Sequence, residues 1–232
     1  MLSWRRFAAT TGADRGIVAV APHPDDETLG CGGLLALATR AGAPVTVAYL
    51  TDGNASHPGS RDWPPARLAA LRREEARRAC HVLGVSRAPV FLGLPDGGTL
   101  AITDEARDRA TATLARLLAT QRPGLVVTTS RGEPHCDHQA AFALATAALR
   151  AAEHEAPLAA YVVWTDLLGG EPPTGTPLTL RLGPTAATKR RALAAHRSQL
   201  EQVVRDDPNG FALEARHREA MLGPTERYWV QP

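Results

Sequence analysis

Short apolar runs alternate along most of the chain with longer segments in which apolar residues recur at every third or fourth position. Short runs rich in Val, Leu and Thr are typical of buried strands, whereas the wider spacing is typical of amphipathic helices. The pattern predicts strands at residues 16–21, 44–51, 89–94, 124–130 and 159–166. It predicts helices at residues 28–40, 65–83, 104–120 and 137–153.

A regular alternation of strand and helix favours a parallel sheet, because each helix carries the chain back to the start of the next strand. The sequence therefore predicts an α/β fold of the Rossmann-like kind, with three α/β/α layers and a mostly parallel sheet. With 232 residues, of which 44% are hydrophobic, the chain is long enough to bury one core of ordinary size. We expect one domain that covers residues 1–232.

The C-terminal part of the chain, from residue 169 onward, is patterned less clearly. Residues 169–177 are rich in Gly and Pro and predict a loop. We expect a strand at residues 178–182 and a helix at residues 186–204 to follow it. The remaining residues have weak periodicity, and we expect them to wrap the domain or to frame the site.

Composition and charge narrow the class of partner. Lys and Arg number 26 against 24 Asp and Glu, which gives a formal net charge of +2, and the charges are not clustered. A nucleic-acid-binding protein needs a basic patch, so we expect a small-molecule partner instead. The apolar stretch at residues 16–22 is too short to span a membrane, and the 3 cysteines form no Cys-x-x-Cys pair. We therefore expect a cytoplasmic protein that binds neither nucleic acid nor membrane. The sequence leaves open whether the protein forms a homo-oligomer.

The first predicted strand is followed directly by a turn crowded with ionisable groups. Residues 21–28 read Ala-Pro-His-Pro-Asp-Asp-Glu-Thr, which places one imidazole and three carboxylates at the start of a helix. In a parallel α/β sheet this turn lies at the carboxyl edge of the strands, where ligand sites concentrate. Asp26 follows His23 by three residues and can bind the same metal ion, which leaves Asp25 beside them as a free base. The alternative, that the acids merely cap the helix, gives no reason for a histidine between two prolines.

A second cluster follows the fourth predicted strand at the equivalent edge. Residues 133–138 read Glu-Pro-His-Cys-Asp-His. His138 lies inside the incoming helix and is the candidate third ligand, while His135 in the loop is freer to contact a substrate. Asp137 is available to orient an imidazole, and Cys136 is a less favoured ligand because the two motifs already supply His, Asp and His. Alone the cluster also fits a polar loop, but its position opposite the first motif favours a shared metal site.

Residues 21–27 together with residues 134–138 resemble the motifs of the PIG-L/LmbE family of zinc-dependent N-acetylglucosaminyl deacetylases. The first segment follows the family pattern of alanine, an optional residue and His-Pro-Asp-Asp-Glu, and the second follows His-x-Asp-His. The resemblance covers most of the chain and implies a Rossmann-like α/β fold. It also implies a zinc ion (Zn²⁺) that is bound by His23, Asp26 and His138.

The resemblance further implies roles for residues around the metal. Asp25 would be the general base, and a protonated His135 would face the carbonyl oxygen of the substrate. Arg72, in the second predicted helix, and Asp96, after the third predicted strand, match substrate-binding positions of the family. The alternatives are a surface arginine for Arg72 and a turn former for Asp96. The resemblance thus adds a catalytic pair and two substrate contacts to the metal site.

The chain departs from the family pattern at two positions. Asn54 follows the second predicted strand where many relatives carry a glutamate, and Glu133 stands where some carry a tyrosine. Residues 196–199, which read His-Arg-Ser-Gln, resemble a recurring family element and suggest that this segment borders the pocket. The departures leave the identity of the substrate open.

The expected reaction is hydrolysis of the acetamide of a small molecule that contains N-acetylglucosamine, with acetate and an amino sugar as products. A metal-dependent amidase for another N-acylated metabolite, such as an antibiotic or a thiol conjugate, is the first alternative. A dinucleotide-binding Rossmann protein is the second, but Gly30, Gly32 and Gly33 lie inside the predicted helix rather than in a Gly-x-Gly-x-x-Gly turn. A metal-binding protein without catalysis is the third, and the presence of Asp25 argues against it.

Overall fold

A seven-stranded sheet forms the centre of the computed structural model, which describes residues 1–200 and 203–231. Its strands are β1 Ile17–Ala21, β2 Val45–Thr51, β3 Val90–Leu94, β4 Leu125–Thr129, β5 Leu158–Tyr161, β6 Thr176–Arg181 and β7 Thr225–Val230. They lie in the order β3-β2-β1-β4-β5-β7-β6. Strands β1 to β5 are parallel, and β7 is antiparallel to both β5 and β6. The predicted mostly parallel sheet is confirmed, and its first five strands have the order of a Rossmann-type fold.

Helices cover both faces of the sheet. They are α1 Trp4–Thr11, α2 Asp26–Arg40, α3 Pro65–Val82, α4 Asp104–Gln121, α5 Cys136–Ala151, α6 Thr165–Leu168, α7 Thr185–Leu193 and α8 Ala215–Met221. Helices α2, α3 and α7 share one apolar core with the sheet, and α4 and α5 share a second core on its other face. The predicted three-layer architecture is therefore confirmed. None of these helices is both long enough and apolar enough to cross a membrane.

The parallel register brings the ends of three strands to one edge of the sheet. Ala21, the last residue of β1, pairs with Tyr49 of β2, and Val20 pairs with Thr128 of β4. The loops that follow these strands therefore leave the sheet side by side. Every residue of β1 and of β4 is buried, so both loops begin from a fixed frame.

Glycines let α2 approach the sheet closely. A Cβ atom on Gly30 would lie 2.0 Å from Cδ2 of Tyr161 in β5, so no larger residue fits there. At Gly33, one turn further along, a Cβ atom would lie 2.4 Å from Cδ2 of Leu182. These glycines therefore have a packing role, as their position inside the helix rather than in a phosphate-binding turn predicts.

The fifth predicted strand is shorter than the pattern indicates. The prediction extended it over residues 159–166, but β5 ends at Tyr161 and α6 begins at Thr165. Between them the backbone N–H groups of Val163 and Trp164 donate to the carboxylate of Glu133 at 3.1 and 3.0 Å. Because these donors bind a side chain rather than a neighbouring strand, the prediction is wrong beyond Tyr161.

The predicted helix at residues 186–204 is also too long. Helix α7 ends at Leu193, and the chain then forms a 3-10 turn at Arg197–Gln199. In this turn Ser198 donates backbone and hydroxyl hydrogen bonds to the Glu75 carboxylate of α3, at 2.8 and 2.6 Å. This tertiary contact replaces the helical hydrogen bonds, so the prediction is wrong after Leu193. Residues 201 and 202 of the predicted helix lie outside the described residues.

Three elements near the chain ends, α1, α8 and β7, have no counterpart in the predicted pattern. Glu226 of β7 accepts hydrogen bonds from the backbone N–H groups of Gly33 and Leu34, each at 2.8 Å. The same carboxylate forms a buried ion pair with Lys189 of α7 at 2.8 Å. Polar contacts thus fix β7 against α2 and α7, and hydrophobic periodicity does not reveal contacts of this kind.

Candidate active site and metal-binding cluster

The two sequence motifs meet at the carboxyl edge of the sheet. His23 lies in the loop after β1, and Asp26 is the first residue of α2. Across the edge, His135 is the N-cap residue of α5, and His138 lies in the first turn of that helix. Adjacent parallel strands therefore bring together residues that are more than a hundred positions apart in the chain.

His23, Asp26 and His138 direct ligand atoms toward one another. Nδ1 of His23 lies 3.0 Å from Oδ2 of Asp26, and Nε2 of His138 lies 3.3 Å from the same oxygen. Among the described residues, one ligand atom from each of the three lies within 4.8 Å of the others, which is compatible with a shared metal ion. Nε2 of His138 is buried and has no hydrogen bond of acceptable geometry, although buried polar atoms are normally paired. Two imidazoles and one carboxylate form a donor set that suits zinc and leaves room for a further ligand.

The charges of these residues also favour a cation at the centre of the cluster. Burial lowers the pKa of His138, but the charge of the nearby Asp26 and the hydrogen bond to Glu133 outweigh it and raise that pKa to about 9. Burial acts against the ionised form of Asp26, yet the neighbouring His138 and His23 hold its pKa well below the usual range. The carboxylates therefore stabilise positive charge between the imidazoles, and either protons or a metal ion can supply it.

Asp137 fixes the orientation of His23. Its Oδ2 atom lies 2.9 Å from Nε2 of His23 and accepts the backbone N–H of Gly97 at 2.8 Å. Its Oδ1 atom accepts the hydroxyl of Thr99 at 2.6 Å. Since Asp137 is held in this way, Nδ1 of His23 is the nitrogen that faces Asp26. The structure thus identifies His23 as the imidazole that Asp137 orients.

Glu133 fixes the orientation of His138 in the same manner. Its Oε2 atom lies 2.9 Å from Nδ1 of His138, and the residue is completely buried. Its Oε1 atom accepts the backbone N–H of Thr165 at 3.0 Å and the hydroxyl of that residue at 2.6 Å. Sequence reasoning noted Glu133 only as a departure from the family pattern. A carboxylate close to a candidate ligand histidine is the signal that would have indicated this role.

We expect Glu133→Gln to lower the affinity for the metal by about 10- to 100-fold, because the amide is a weaker partner for the His138 N–H group than the carboxylate. Competition with a fluorescent chelator measures this affinity. Glu155→Gln, which changes an exposed carboxylate on the surface, is the matched control and should bind as tightly as the wild type. Equal affinities for both variants would exclude Glu133 as a support of the site.

Asp25 is held apart from the cluster in an unusual backbone conformation. Its φ of 137° is rare for a residue with a side chain and stores strain beside the site. The carboxylate of Glu27 accepts the Asp25 backbone N–H at 3.0 Å, and Nη2 of Arg72 lies 3.2 Å from Oδ2 of Asp25. Burial raises the pKa of Asp25 to about 7, although the charge of Arg72 acts in the opposite direction. Asp25 is therefore a fixed carboxyl group that can exchange a proton near neutral pH.

His135 faces the same space, and its surroundings disfavour the protonated ring. Burial lowers its pKa, and the nearby His23 and His138 lower it further. Its Nδ1 atom accepts the backbone N–H of Asp137 at 3.2 Å, so the proton of the neutral ring is on Nε2. In the neutral ring the Nε2–H group is thus the donor available to a substrate, and the protonated His135 expected for the reaction stays a prediction.

Both predicted substrate residues line a cavity of about 460 Å³ that His23, Asp25 and Asp26 also line. Arg72 is buried and donates to the carbonyl oxygens of Gly53 and Pro24, each at 2.7 Å. Oδ1 of Asp96 lies 3.2 Å from Nε2 of His23, and its Oδ2 atom accepts the backbone N–H of Ala55. Leu29 of α2 and several apolar and amide side chains from later segments complete the wall, the later ones being Trp164, Gln199, Asn209 and Phe211. The cavity therefore combines an ionisable end with a wall suited to an organic ligand.

A sequence profile of one family matches residues 18–149, which is more than half of the chain. The family is described as PIG-L, GlcNAc-PI de-N-acetylase. The matched range begins in β1 and ends in α5, so it includes both motifs of the cluster.

Individual proteins extend the match toward the C-terminus. The probable N-acetyl-α-D-glucosaminyl L-malate deacetylase 2 of Bacillus subtilis (strain 168) is 29% identical over 198 residues, which cover 82% of this chain and 86% of that protein. The 1D-myo-inositol 2-acetamido-2-deoxy-α-D-glucopyranoside deacetylase of Mycolicibacterium gilvum (strain PYR-GCK) is 30% identical, over 85% of this chain and 84% of its own. The crystal structure of a conserved protein from Thermus thermophilus has a TM-score of 0.68 and 28% identity, over 93% and 94% of the two chains.

Proposed function

This chain belongs to the PIG-L family, and we propose that it removes the N-acetyl group from a small molecule that contains N-acetylglucosamine, releasing acetate and an amino sugar. The observation that carries the proposal is the unpaired, buried Nε2 of His138 beside Asp26 and His23, with the separately held Asp25 next to it. This arrangement combines a metal-binding donor set with a free base. Metal-assisted hydrolysis needs both.

The proposed cofactor is zinc, bound by His23, Asp26 and His138. When bound, zinc lowers the pKa of water toward roughly 7 and polarises a carbonyl oxygen. Asp137 and Glu133 hold the two imidazoles in the orientation that binding requires, since each accepts a hydrogen bond from the ring nitrogen opposite the ligand atom.

Asp25 is the proposed general base. Its carboxylate takes a proton from the attacking water as the new C–O bond forms, and it delivers a proton to the nitrogen as the C–N bond breaks. The contacts with Glu27 and Arg72 keep the carboxyl group in one position through both steps. His135 donates its Nε2–H to the carbonyl oxygen while negative charge develops there, and a neutral N–H group can do this without a change of protonation.

The substrate class rests on what the named relatives act on. One is named for N-acetylglucosaminyl malate and the other for an N-acetylglucosamine-like sugar joined to inositol. The two names share the acetamido sugar and differ in the group attached to it. We therefore propose that Arg72 and Asp96 lie beside the sugar, and that the attached group extends toward the later segments of the cavity wall.

Acetate release from the zinc-loaded protein tests this proposal. We expect turnover of N-acetylglucosamine glycosides to exceed that of an acetyl-lysine peptide, and treatment with a strong chelator should abolish it. Faster turnover of the peptide, or of an N-acylated antibiotic or thiol conjugate that lacks the sugar, would overturn the substrate class. Undiminished activity after complete metal removal would overturn the metal dependence.

A further inference from the structure

Gln199 lines the cavity and carries a buried hydrogen-bond acceptor that has no partner among the described residues. The residue ends the 3-10 turn after α7, is completely buried and lines the cavity together with His23 and Asp25. Its Oε1 atom has no hydrogen-bond partner within the described part of the chain. A buried carbonyl oxygen without a hydrogen bond raises the free energy of the folded protein. A donor from a bound ligand would remove this penalty.

Neighbouring hydrogen bonds decide which atom of the Gln199 amide is free. The Ser198 hydroxyl donates its proton to Oε2 of Glu75 at 2.6 Å, so its oxygen can only accept from Gln199. The amide atom 3.0 Å from that oxygen is therefore Nε2, which also lies 3.4 Å from the hydroxyl oxygen of Ser56. The remaining atom, Oε1, is the free acceptor.

The backbone around Gln199 is also held in place. Glu75 accepts the backbone N–H of Ser198 at 2.8 Å, and the Gln199 carbonyl oxygen accepts the backbone N–H of Leu213 at 2.9 Å. The acceptor is thus presented from a fixed turn rather than from a free side chain. A site that is organised before binding loses little entropy when a ligand donor reaches it.

We propose that Oε1 of Gln199 accepts a hydrogen bond from one hydroxyl group of the sugar substrate and makes that hydroxyl a requirement for efficient turnover. This inference rests on the proposed function, since it assumes that the cavity binds an amino sugar. An acceptor selects an O–H or N–H group and rejects a carboxylate or carbonyl oxygen at the same place. A sugar that lacks the hydroxyl leaves Oε1 buried and unpaired, which weakens transition-state binding.

Monodeoxy analogues of an N-acetylglucosamine glycoside, each lacking one hydroxyl group, test this proposal. We expect the wild type to lose roughly 5- to 100-fold in kcat/KM on one of these analogues, because that analogue leaves the acceptor unpaired. Gln199→Met has a similar volume but no acceptor. It should lose a comparable factor on the parent sugar and should no longer distinguish the parent from that analogue.

Ser56→Ala is the matched control, because it removes a weak contact of Nε2 and leaves Oε1 in place. It should still discriminate against the same analogue. The thermal unfolding midpoint and metal content of both variants show whether the turn and the metal site remain intact. A uniform loss of Gln199→Met on every sugar would overturn the hydroxyl contact.

The wild type alone also tests the inference, so a variant that fails to fold does not obstruct the result. Equal kcat/KM on the parent and on all monodeoxy analogues would overturn the Gln199 contact while leaving the deacetylase proposal standing. A wild type that releases acetate from none of the sugars would overturn the proposed function and this inference with it.

Discussion

Asp25→Asn is expected to lower kcat for acetate release by about 100- to 10,000-fold while the protein keeps its metal. The amide cannot accept a proton from water, yet it preserves the size of the side chain. Asp25 is not among the three residues whose ligand atoms converge, which are His23, Asp26 and His138, so the substitution leaves this set unchanged. Steady-state kinetics with an N-acetylglucosamine glycoside measure the effect.

Asp104→Asn is the control for this substitution, because it neutralises an exposed carboxylate at the start of α4. It should retain wild-type kcat and metal content. An Asp25→Asn variant with wild-type kcat would show that another group takes the proton, and the role of general base would have to be reassigned.

Asp26→Ala is expected to lose the metal, and acetate release should fall to the background rate. The Oδ2 atom of Asp26 lies within 3.0 Å of Nδ1 of His23 and 3.3 Å of Nε2 of His138, so it is the contact that both imidazoles share. Loss of this proposed ligand would also remove the Lewis acid that a bound zinc ion would supply. Elemental analysis after dialysis measures the metal content, and circular dichroism checks that the variant is folded. Full activity in the dialysed variant would contradict the assignment.

The central sheet could be predicted because its strands are short apolar runs that alternate with helices along the chain. Each residue of β1 is buried, and the chain returns through a helix before each of β2 to β5, so composition and alternation coincide. Strand β7 could not be predicted in this way. It depends on Glu226, whose carboxylate binds backbone N–H groups of α2 and the Lys189 side chain, and these partners are distant in the sequence.

The convergence of the two motifs could be predicted for a related reason. His23 and Asp26 lie in one short segment, and parallel strands place the segment of His138 at the same edge of the sheet. The residues that support the cluster were harder to assign. Glu133 acts through hydrogen bonds to the backbone of residues 163–165, a segment predicted to be strand.

The cavity wall was the least predictable part of the site. Residues 196–199 resemble a family element. The prediction, however, placed them in a continuous helix, and a helix would point their side chains in different directions from those in the observed turn. Helix α7 ends at Leu193, and the hydrogen bonds from Ser198 to Glu75 hold the later turn whose last residue, Gln199, lines the cavity. Which side chains face a ligand thus depends on tertiary contacts between α3 and the C-terminal segment, and such contacts have no local pattern.

The central claim is that Asp25 is the general base and that Asp26 is a metal ligand. It is tested most directly by measuring the metal content of Asp25→Asn and Asp26→Ala, purified side by side with the wild type. We expect about one zinc ion per chain in the wild type and in Asp25→Asn, and none in Asp26→Ala. If Asp25→Asn were metal-free and Asp26→Ala retained its metal, the roles of general base and metal ligand would have to be exchanged between the two residues. If both variants retained metal and activity, the assignment of the metal site would be wrong.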